Sequence, residues 1–403
     1  MLLLFYMLKK IILIVLISIP ISNILAQNKN IILIARTSYH DGHNLPAQSF
    51  FLNSSPEINN KREIVFRLIT VAGLDRRGIW SGNSEGGKIT YRLPEEDYIS
   101  DPHINAKSEV VFSKYNTHKG YGIYKYTMQK TTPYLHISLN EKLKINNYQT
   151  PFIDDNSRIS SRAYHMHNRK SVILIDEKEI KTLLFENING KLPIAYIYNI
   201  DTNKKGQIAV KINRGKKIES RGKEEIITLD KNGGIKSVAK SVKLDPSSPY
   251  QYFRNSLSIN NKSQVAFIAR LKNGKDSLLL YEENKGLKEI ITVPNKNIKE
   301  IEYFKVRLNN RGNIAFRALD KHNKYAIYLY KDQRIHKVLS QGDLLEVDIG
   351  TVQINTSSGP PFGGNIGFND HNDILLNANF SEKYDASNFI SKAIILIVQD
   401  LVP

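Results

Sequence analysis

Asn309-Asn310-Arg311-Gly312-Asn313-Ile314-Ala315-Phe316 is the stretch on which the fold turns, because its pattern recurs. The preceding copy reads Asn260-Asn261-Lys262-Ser263-Gln264-Val265-Ala266-Phe267, and an earlier one Asn203-Lys204-Lys205-Gly206-Gln207-Ile208-Ala209-Val210. Weaker copies start at Asn59, running to Val65-Phe66, and at Asn105, running to Val111-Phe112; degenerate ones start at Asp154 and Asn369. The seven copies lie 46 to 60 residues apart, the range of propeller blades rather than of short-period solenoids. Asn bonds its own backbone and Gly accepts a positive φ, so Asn-x-x-Gly reads as a tight turn between antiparallel strands. Beyond the turn, Ile314, Phe316 and Ala318 share one face and Ala315, Arg317 and Leu319 the other. The small Ala315 and Ala266 suit the close approach of a neighbouring sheet.

Two more strands follow each turn. The first contains Gly78-Ile79-Trp80, Gly122-Ile123-Tyr124, Val172-Ile173-Leu174, Leu278-Leu279-Leu280-Tyr281 or Ala326-Ile327-Tyr328. The second covers Ile89 to Leu93, Leu135 to Leu139, Ile180 to Phe185, Ile235 to Ala239, Glu289 to Val293 or Ile335 to Leu339. A segment upstream of the turn, containing Phe51, Phe253, Phe304 or Phe362, supplies a fourth. Four antiparallel strands per repeat make a propeller blade. The seventh copy runs to Ala393–Val398 without an outer strand, while Ile31 to Ala35 is left unassigned near the start. The reading is an all-β, seven-bladed propeller closed by pairing that N-terminal strand with the last blade, which leaves no long exposed edge.

These residues resemble the bacterial exported tandem-repeat family with an N-x-x-G-x-x-A-F motif. Asn309, Gly312, Ala315 and Phe316 match it in full; Asn260, Ala266 and Phe267 match with Ser263 in place of Gly. The resemblance implies an exported or surface protein and no defined molecular role. Copies three and seven carry Ser160-Ser161 and Leu375-Leu376 where the Ala-Phe pair belongs, so irregular blades are expected there. Members often carry a C-terminal anchor, which this chain, ending at Pro403, is expected to lack.

Export is also read from the first residues. Of two starts, Met1 and Met7, the second precedes Lys9 and Lys10, an apolar run from Ile11 to Ile19, a break at Pro20 and Ser22, and Ile24-Leu25-Ala26 before a cleavage point. Residues 1–26 are thus expected to be a signal peptide and 27–403 a single propeller domain, periplasmic or secreted; the rival is an uncleaved anchor, for which the run is short. No later stretch is long enough to span a bilayer as a helix. Cysteine is absent, so neither disulfides, a cysteine-ligated metal nor a lipidated cysteine enters the account. Formal charge is +18, or +16 without Lys9 and Lys10, enough to attract an anionic polymer. The densest basic stretch, Lys204 to Lys223 with Lys205, Lys211, Arg214, Lys216, Lys217 and Arg221, lacks stacking aromatics and reads as a solvated loop and hairpin.

Candidate chemistry is sparse. His165-Met166-His167 would put two rings on one face of a strand, a chelating spacing without a nameable third ligand. His40-Asp41-Gly42-His43 coincides with the turn after the closing strand, and Asp154-Asp155 with the motif turn. Glu95-Glu96-Asp97 reads as a solvated acidic loop, and Gly359-Pro360-Pro361-Phe362-Gly363-Gly364 as a tight connection into the last blade that could alternatively line a binding face. No residue is assigned as catalytic, cofactor-binding or metal-ligating, and no cofactor is called for. The leading functional expectation is a monomeric binding module for a protein or glycan partner at the cell envelope. The alternatives are a propeller hydrolase or lyase acting on an envelope polymer, and electrostatic capture of an anionic polymer.

Overall fold

The structure is a computed structural model that describes residues 30–399, apart from 51–53, 69–77, 93–96, 117–119, 139–142, 178, 192, 219–221, 356–358 and 384. The expected signal peptide, Phe51, Glu95 and Glu96 lie outside the described residues. Seven antiparallel sheets follow one another along the chain. We number them as blades 1 to 7.

Each blade begins with an innermost strand ending at a motif turn. These strands are Glu57–Ile58, His103–Ile104, Phe152–Ile153, Ile194–Thr202, Tyr250–Ile259, Arg307–Leu308 and Phe362–Phe368. The second strands start five residues after the motif Asn: Ile64–Leu68, Glu109–Asn116, Ile159–His165, Ile208–Arg214, Val265–Leu271, Ile314–Asp320 and Ile374–Glu382, with Glu109 starting one residue early. The third and outer strands fall on the segments expected of them; in blade 4 the third strand is Lys223–Leu229, which the repeat pattern had not singled out. Phe304 lies between Ile298–Ile301 and Arg307–Leu308 rather than in a strand, because the innermost segment of blade 6 is broken there.

Closure is as expected. Asn30–Arg36 pairs antiparallel with Asp385–Val398 in blade 7, placing Ile32 opposite Leu396, and Asp385–Val398 pairs with the second strand of the same blade. Ile34 and Ala35 are fully buried and join a cluster with Leu375, Ile394 and Leu396 of blade 7 and Ile58, Ile64 and Phe66 of blade 1. The first residues described therefore bind the two ends of the ring.

The Ala-Phe pair divides its labour by strand alternation. Phe316 packs backward among Ala266, Ile268, Leu278 and Leu280 of blade 5, while Ala315 faces forward onto Phe362, Ile366 and Leu376 of blade 7. Phe267 and Ala266 repeat this one blade earlier. Blade 7 achieves it with Leu376 facing blade 6 and Leu375 facing blade 1, and besides its N-terminal outer strand it carries an added hairpin, Leu344–Val347 and Gly350–Ile354. In blade 3, Ser160 faces forward too, its hydroxyl bonded to that of Thr202 in blade 4 at 2.6 Å; the blade keeps its full strand ladder.

All seven turns have one geometry. The motif Asn or Asp side-chain oxygen accepts the N–H groups two and four residues on, at 2.9 to 3.1 Å. The third residue after it has positive φ in every copy: Arg62, Ser108, Ser157, Gly206, Ser263, Gly312 and Asn372, from 60° to 87°. Five of these seven are not glycine, and an L-residue there costs about 1–2 kcal/mol. Their side chains offset it by bonding the previous blade, as in Ser108 to Glu63 (2.7 Å), Ser157 to Glu109 (2.6 Å) and Ser263 to Gln207 (2.8 Å).

The motif amide meanwhile reaches forward. Asn59 Nδ2 donates to the Asn105 carbonyl (3.0 Å), Asn105 to Asp154 (2.8 Å), Asn203 to Asn260 (2.8 Å), Asn260 to Asn309 (2.8 Å), Asn309 to Asn369 (3.1 Å) and Asn369 back to Asn59 (3.3 Å). Asp154 has no amide to give. Its carboxylate instead holds Arg158 Nε at 2.7 Å, and Arg158 Nη2 donates to the Lys205 carbonyl at 2.8 Å, so the seventh junction is bridged by proxy.

Two outcomes follow. Asn309→Ala leaves the Arg311 and Asn313 N–H groups and the Asn369 carbonyl without their partner, and should lower unfolding free energy by about 2–4 kcal/mol in urea denaturation; a loss below about 0.5 kcal/mol would show the relay to be incidental. Ile34→Asp puts a carboxylate into the closing seam and should lower the thermal midpoint by several degrees, whereas the same change at exposed Ile235 should not.

Candidate functional site

Counting back from the motif residue places the channel wall. Two residues before it stand Glu57, His103, Phe152, Asp201, Ser258, Arg307 and Gly367, one per blade at the waist of the ring. Strand alternation sends the residue two further back to the same side: Ser55, Asp101, Thr150, Asn199, Lys305 and Asn365 form a second tier, joined in blade 5 by Asn255. The sequence reading had passed over every one of these as a site residue, although their shared offset from the motif was in view.

The waist is closed by charge pairing. Arg307 Nη2 lies 2.7 Å from Glu57 Oε2, Lys305 is bonded to Asp201, and His103 Nδ1 stands 3.5 Å from Glu57 Oε1. The His103 ring packs on Phe152 with centroids 4.2 Å apart, and Lys305 Nζ sits 4.8 Å from the centre of the same Phe152 ring. On the motif side, Lys204 Nζ crosses to the Ile104 carbonyl at 2.8 Å. Burial and the charges of Lys305 and Arg307 hold the His103 imidazole well below its ordinary pKa, so it is neutral. Burial pushes the Asp201 carboxyl up, but Lys305 and Arg307 outweigh it and keep the group below the usual range. Burial also lowers the Lys305 and Lys204 ammonium groups. In the second tier, burial raises the Asp101 carboxyl despite Arg67, whose Nε is 3.1 Å away.

This plug divides the axis into two hollows. The smaller, about 150 Å³, is walled by the motif turns themselves. The larger, about 310 Å³, is the vestibule at the opposite end, floored by Glu57, His103, Phe152 and Arg307. Its rim carries Asn199, Asn255 and Tyr303, all exposed. Amide, hydroxyl and aromatic groups thus surround a charged floor whose ion pairs are internally satisfied. Such a wall can orient a polar ligand through many hydrogen bonds.

The candidates read from sequence lie elsewhere. The strand ends at His165, and Met166–Asn168 turns away with His167 at φ +60°, so the two rings do not share a strand face. His165 is buried and committed, Nδ1 to the Leu143 carbonyl (2.9 Å) and Nε2 to the Ser171 hydroxyl (2.7 Å). His40 to His43 form the turn after the closing strand, where Arg36 Nη2 holds the Asp41 carbonyl at 3.0 Å and Asp348 at 2.7 Å. Asp154 and Asp155 belong to the motif turn. Asp97 opens a short edge strand, Asp97–Ile99. Only Gly359 to Pro361 of the Gly-Pro segment lead into the last blade, because Phe362 to Gly364 already belong to its innermost strand; Gly364, at φ +59°, passes so near Ser54 that an added Cβ would fall 2.3 Å from its carbonyl oxygen. The basic stretch is only partly solvated, since Lys211 and Lys204 are inside, and Lys211 and Arg214 pair with Glu224 and Glu225 at 3.3 and 2.8 Å.

No family model matches the chain, and no curated protein matches it. Solved structures do. The β-propeller domain of the Trilobed protease from Pyrococcus furiosus, described as having an open velcro topology, is 10% identical with a TM-score of 0.53 over 88% of this chain and 100% of that one. A puromycin-hydrolyzing peptidase from Mycobacterium tuberculosis is 8% identical, TM-score 0.50, over 85% of this chain and 53% of that one. Prolyl oligopeptidase B from Galerina marginata is 12% identical, TM-score 0.51, over 86% and 51%. This chain spans about half the length of those two peptidases. The likeness is one of fold: a seven-bladed β-propeller similar to peptidase propeller domains, here closed by its N-terminal strand.

The plug carries a pH dependence. With the His103 pKa lower in the folded state than the ordinary 6.5, the unfolded chain binds more protons below about pH 6.5, so stability should fall on acidification from there toward the folded pKa. His103→Gln should flatten that part of the stability profile in urea titrations. An unaltered slope would place its origin at another group.

Proposed function

We propose that this protein is an exported binding module whose vestibule holds a glycan or protein partner at the cell envelope. The observation that carries the reading is the plugged axis: a blind, polar-walled hollow of about 310 Å³, framed by strands that the interblade relay locks in place. Binding to a preformed wall requires little ordering of the protein, and this is the condition for useful affinity from hydrogen bonds alone. Periplasmic or extracellular location rests on the N-terminal segment with Lys9, Lys10 and the apolar run after them, and on the resemblance to the exported N-x-x-G-x-x-A-F repeat family. The seven turns with a common geometry support that resemblance.

The test is ligand screening on glycan and envelope-protein arrays with the purified protein and Asn255→Trp, which fills the vestibule from its exposed rim. The expected result is a retained ligand whose affinity falls at least tenfold in the variant, with no product formed. Turnover of the ligand would favour the hydrolase or lyase alternative. Equal retention by both proteins would move the binding face away from the vestibule.

A further inference from the structure

Four blades place a cation eight residues after the motif position: Arg67, Arg162, Lys211 and Arg317. Each donates to a main-chain carbonyl of the next blade. Arg67 Nη1 reaches Ile99 (3.1 Å), Arg162 Nη1 Ile197 (3.0 Å), Lys211 Nζ Phe253 (2.9 Å) and Arg317 Nη1 Gly364 (2.8 Å). A buried cation needs a counter-ion, and three of the four have one. Asp101 lies 3.1 Å from Arg67, Glu224 3.3 Å from Lys211, and Glu302 holds Arg317 through two bonds of 3.0 Å.

Arg162 is the exception. It is 6% exposed, yet its acceptors are all neutral: the Ile197 carbonyl, Gln149 Oε1 and, at 3.0 Å, the Tyr164 hydroxyl. Among the described residues its Nε has no hydrogen-bond partner. Gln149 occupies the place that Glu302 holds in blade 6, because the N–H of each bonds the carbonyl of its arginine at 3.0 Å. Blade 3 has thus exchanged the carboxylate for an amide. Glu186, which accepts the neighbouring Ile197 N–H at 2.8 Å, is paired with Lys170 at 3.7 Å.

Of the four cations, Arg162 alone lines the vestibule. The other charges there cancel within the protein: Arg307 with Glu57, Lys305 with Asp201, and Asp101 with Arg67. Among the described residues one positive charge is left over, beside the amides of Asn199, Asn255 and Asn365 and the hydroxyl of Thr150.

We infer that Arg162 is the recognition residue for a small hydroxylated carboxylate, such as a uronate, bound in the vestibule. This rests on the vestibule being the binding site. A monoanion supplies the missing counter-ion, and its carboxylate pairs with the Arg162 guanidinium where that side chain lines the vestibule. Its hydroxyls find donors and acceptors in the surrounding amides. The cavity lies at the lower end of the roughly 300–1,000 Å³ common for ligand pockets, which suits a monosaccharide.

Isothermal titration with D-glucuronate, D-glucose and D-glucose 6-phosphate tests this on the purified protein. Glucuronate should bind at least tenfold more tightly than glucose. Gln149→Glu rebuilds the blade 6 arrangement, so it should raise the thermal midpoint while weakening glucuronate at least tenfold. Arg162→Gln should weaken it as much and bring it level with glucose. Glucuronate affinity within twofold of the parent in Gln149→Glu would overturn the inference, as would tenfold tighter binding of the phosphate ester. A neutral ligand that Asn255→Trp displaces, with glucuronate inert, would overturn the carboxylate and leave the binding module standing. Inertness of all three sugars, with array ligands retained equally by Asn255→Trp, would overturn both.

Discussion

The amide of a motif asparagine has two tasks, and the propeller depends on their being performed together. Its oxygen pins the turn that ends the innermost strand, and its nitrogen bonds the main chain of the next blade. Local structure and ring geometry are therefore set by one side chain. A blade whose turn is misfolded also loses its neighbour, so the junctions form cooperatively. Residues with positive φ reinforce this, because the side chains tolerated there are those that bond the preceding blade.

Apolar packing follows the same logic at the blade faces. A large residue facing back and a small one facing forward let adjacent sheets pack into shared buried clusters. Where blade 3 carries serines instead, the Ser160 hydroxyl bonds Thr202 of blade 4, and the Ser161 hydroxyl turns to the Gln149 carbonyl within its own blade. That blade also substitutes Asp154 for the motif asparagine and Gln149 for the buried carboxylate. Its departures from the repeat thus fall at the motif turn, at the seam with blade 4 and, through Gln149, at the vestibule wall.

The axis shows how a ring of seven similar strands acquires a distinctive interior. Repetition delivers seven side chains at each level, and chemical differences among them do the rest. At the waist, opposite charges from blades 1, 4 and 6 meet and close the channel. One level above, amides and hydroxyls leave it open. The low-dielectric wall makes pairing of the waist charges mutual: Lys305 and Arg307 hold Asp201 ionised, and together with burial they keep His103 neutral.

By itself, the sequence determined the blade count, the turn at each motif, the phase of the strands and the closing partner of Ile31 to Ala35. All of these rest on short-range patterns: an Asn with a turn residue three places on, and alternation of period two. The inward positions were equally legible as fixed offsets from the motif. Only the tertiary structure decided which of them meet, since Glu57 and Arg307 are 250 residues apart, and ring closure alone brings them within reach. It likewise decided that His165 is spent on structural bonds and that Arg162 has no counter-ion among the described residues. Gln149 lies five residues before its motif position and Glu302 seven, so no constant spacing aligns them. Their equivalence is a matter of a shared hydrogen bond in space, and uncompensated charge is a property of a surrounding volume rather than of any segment of chain.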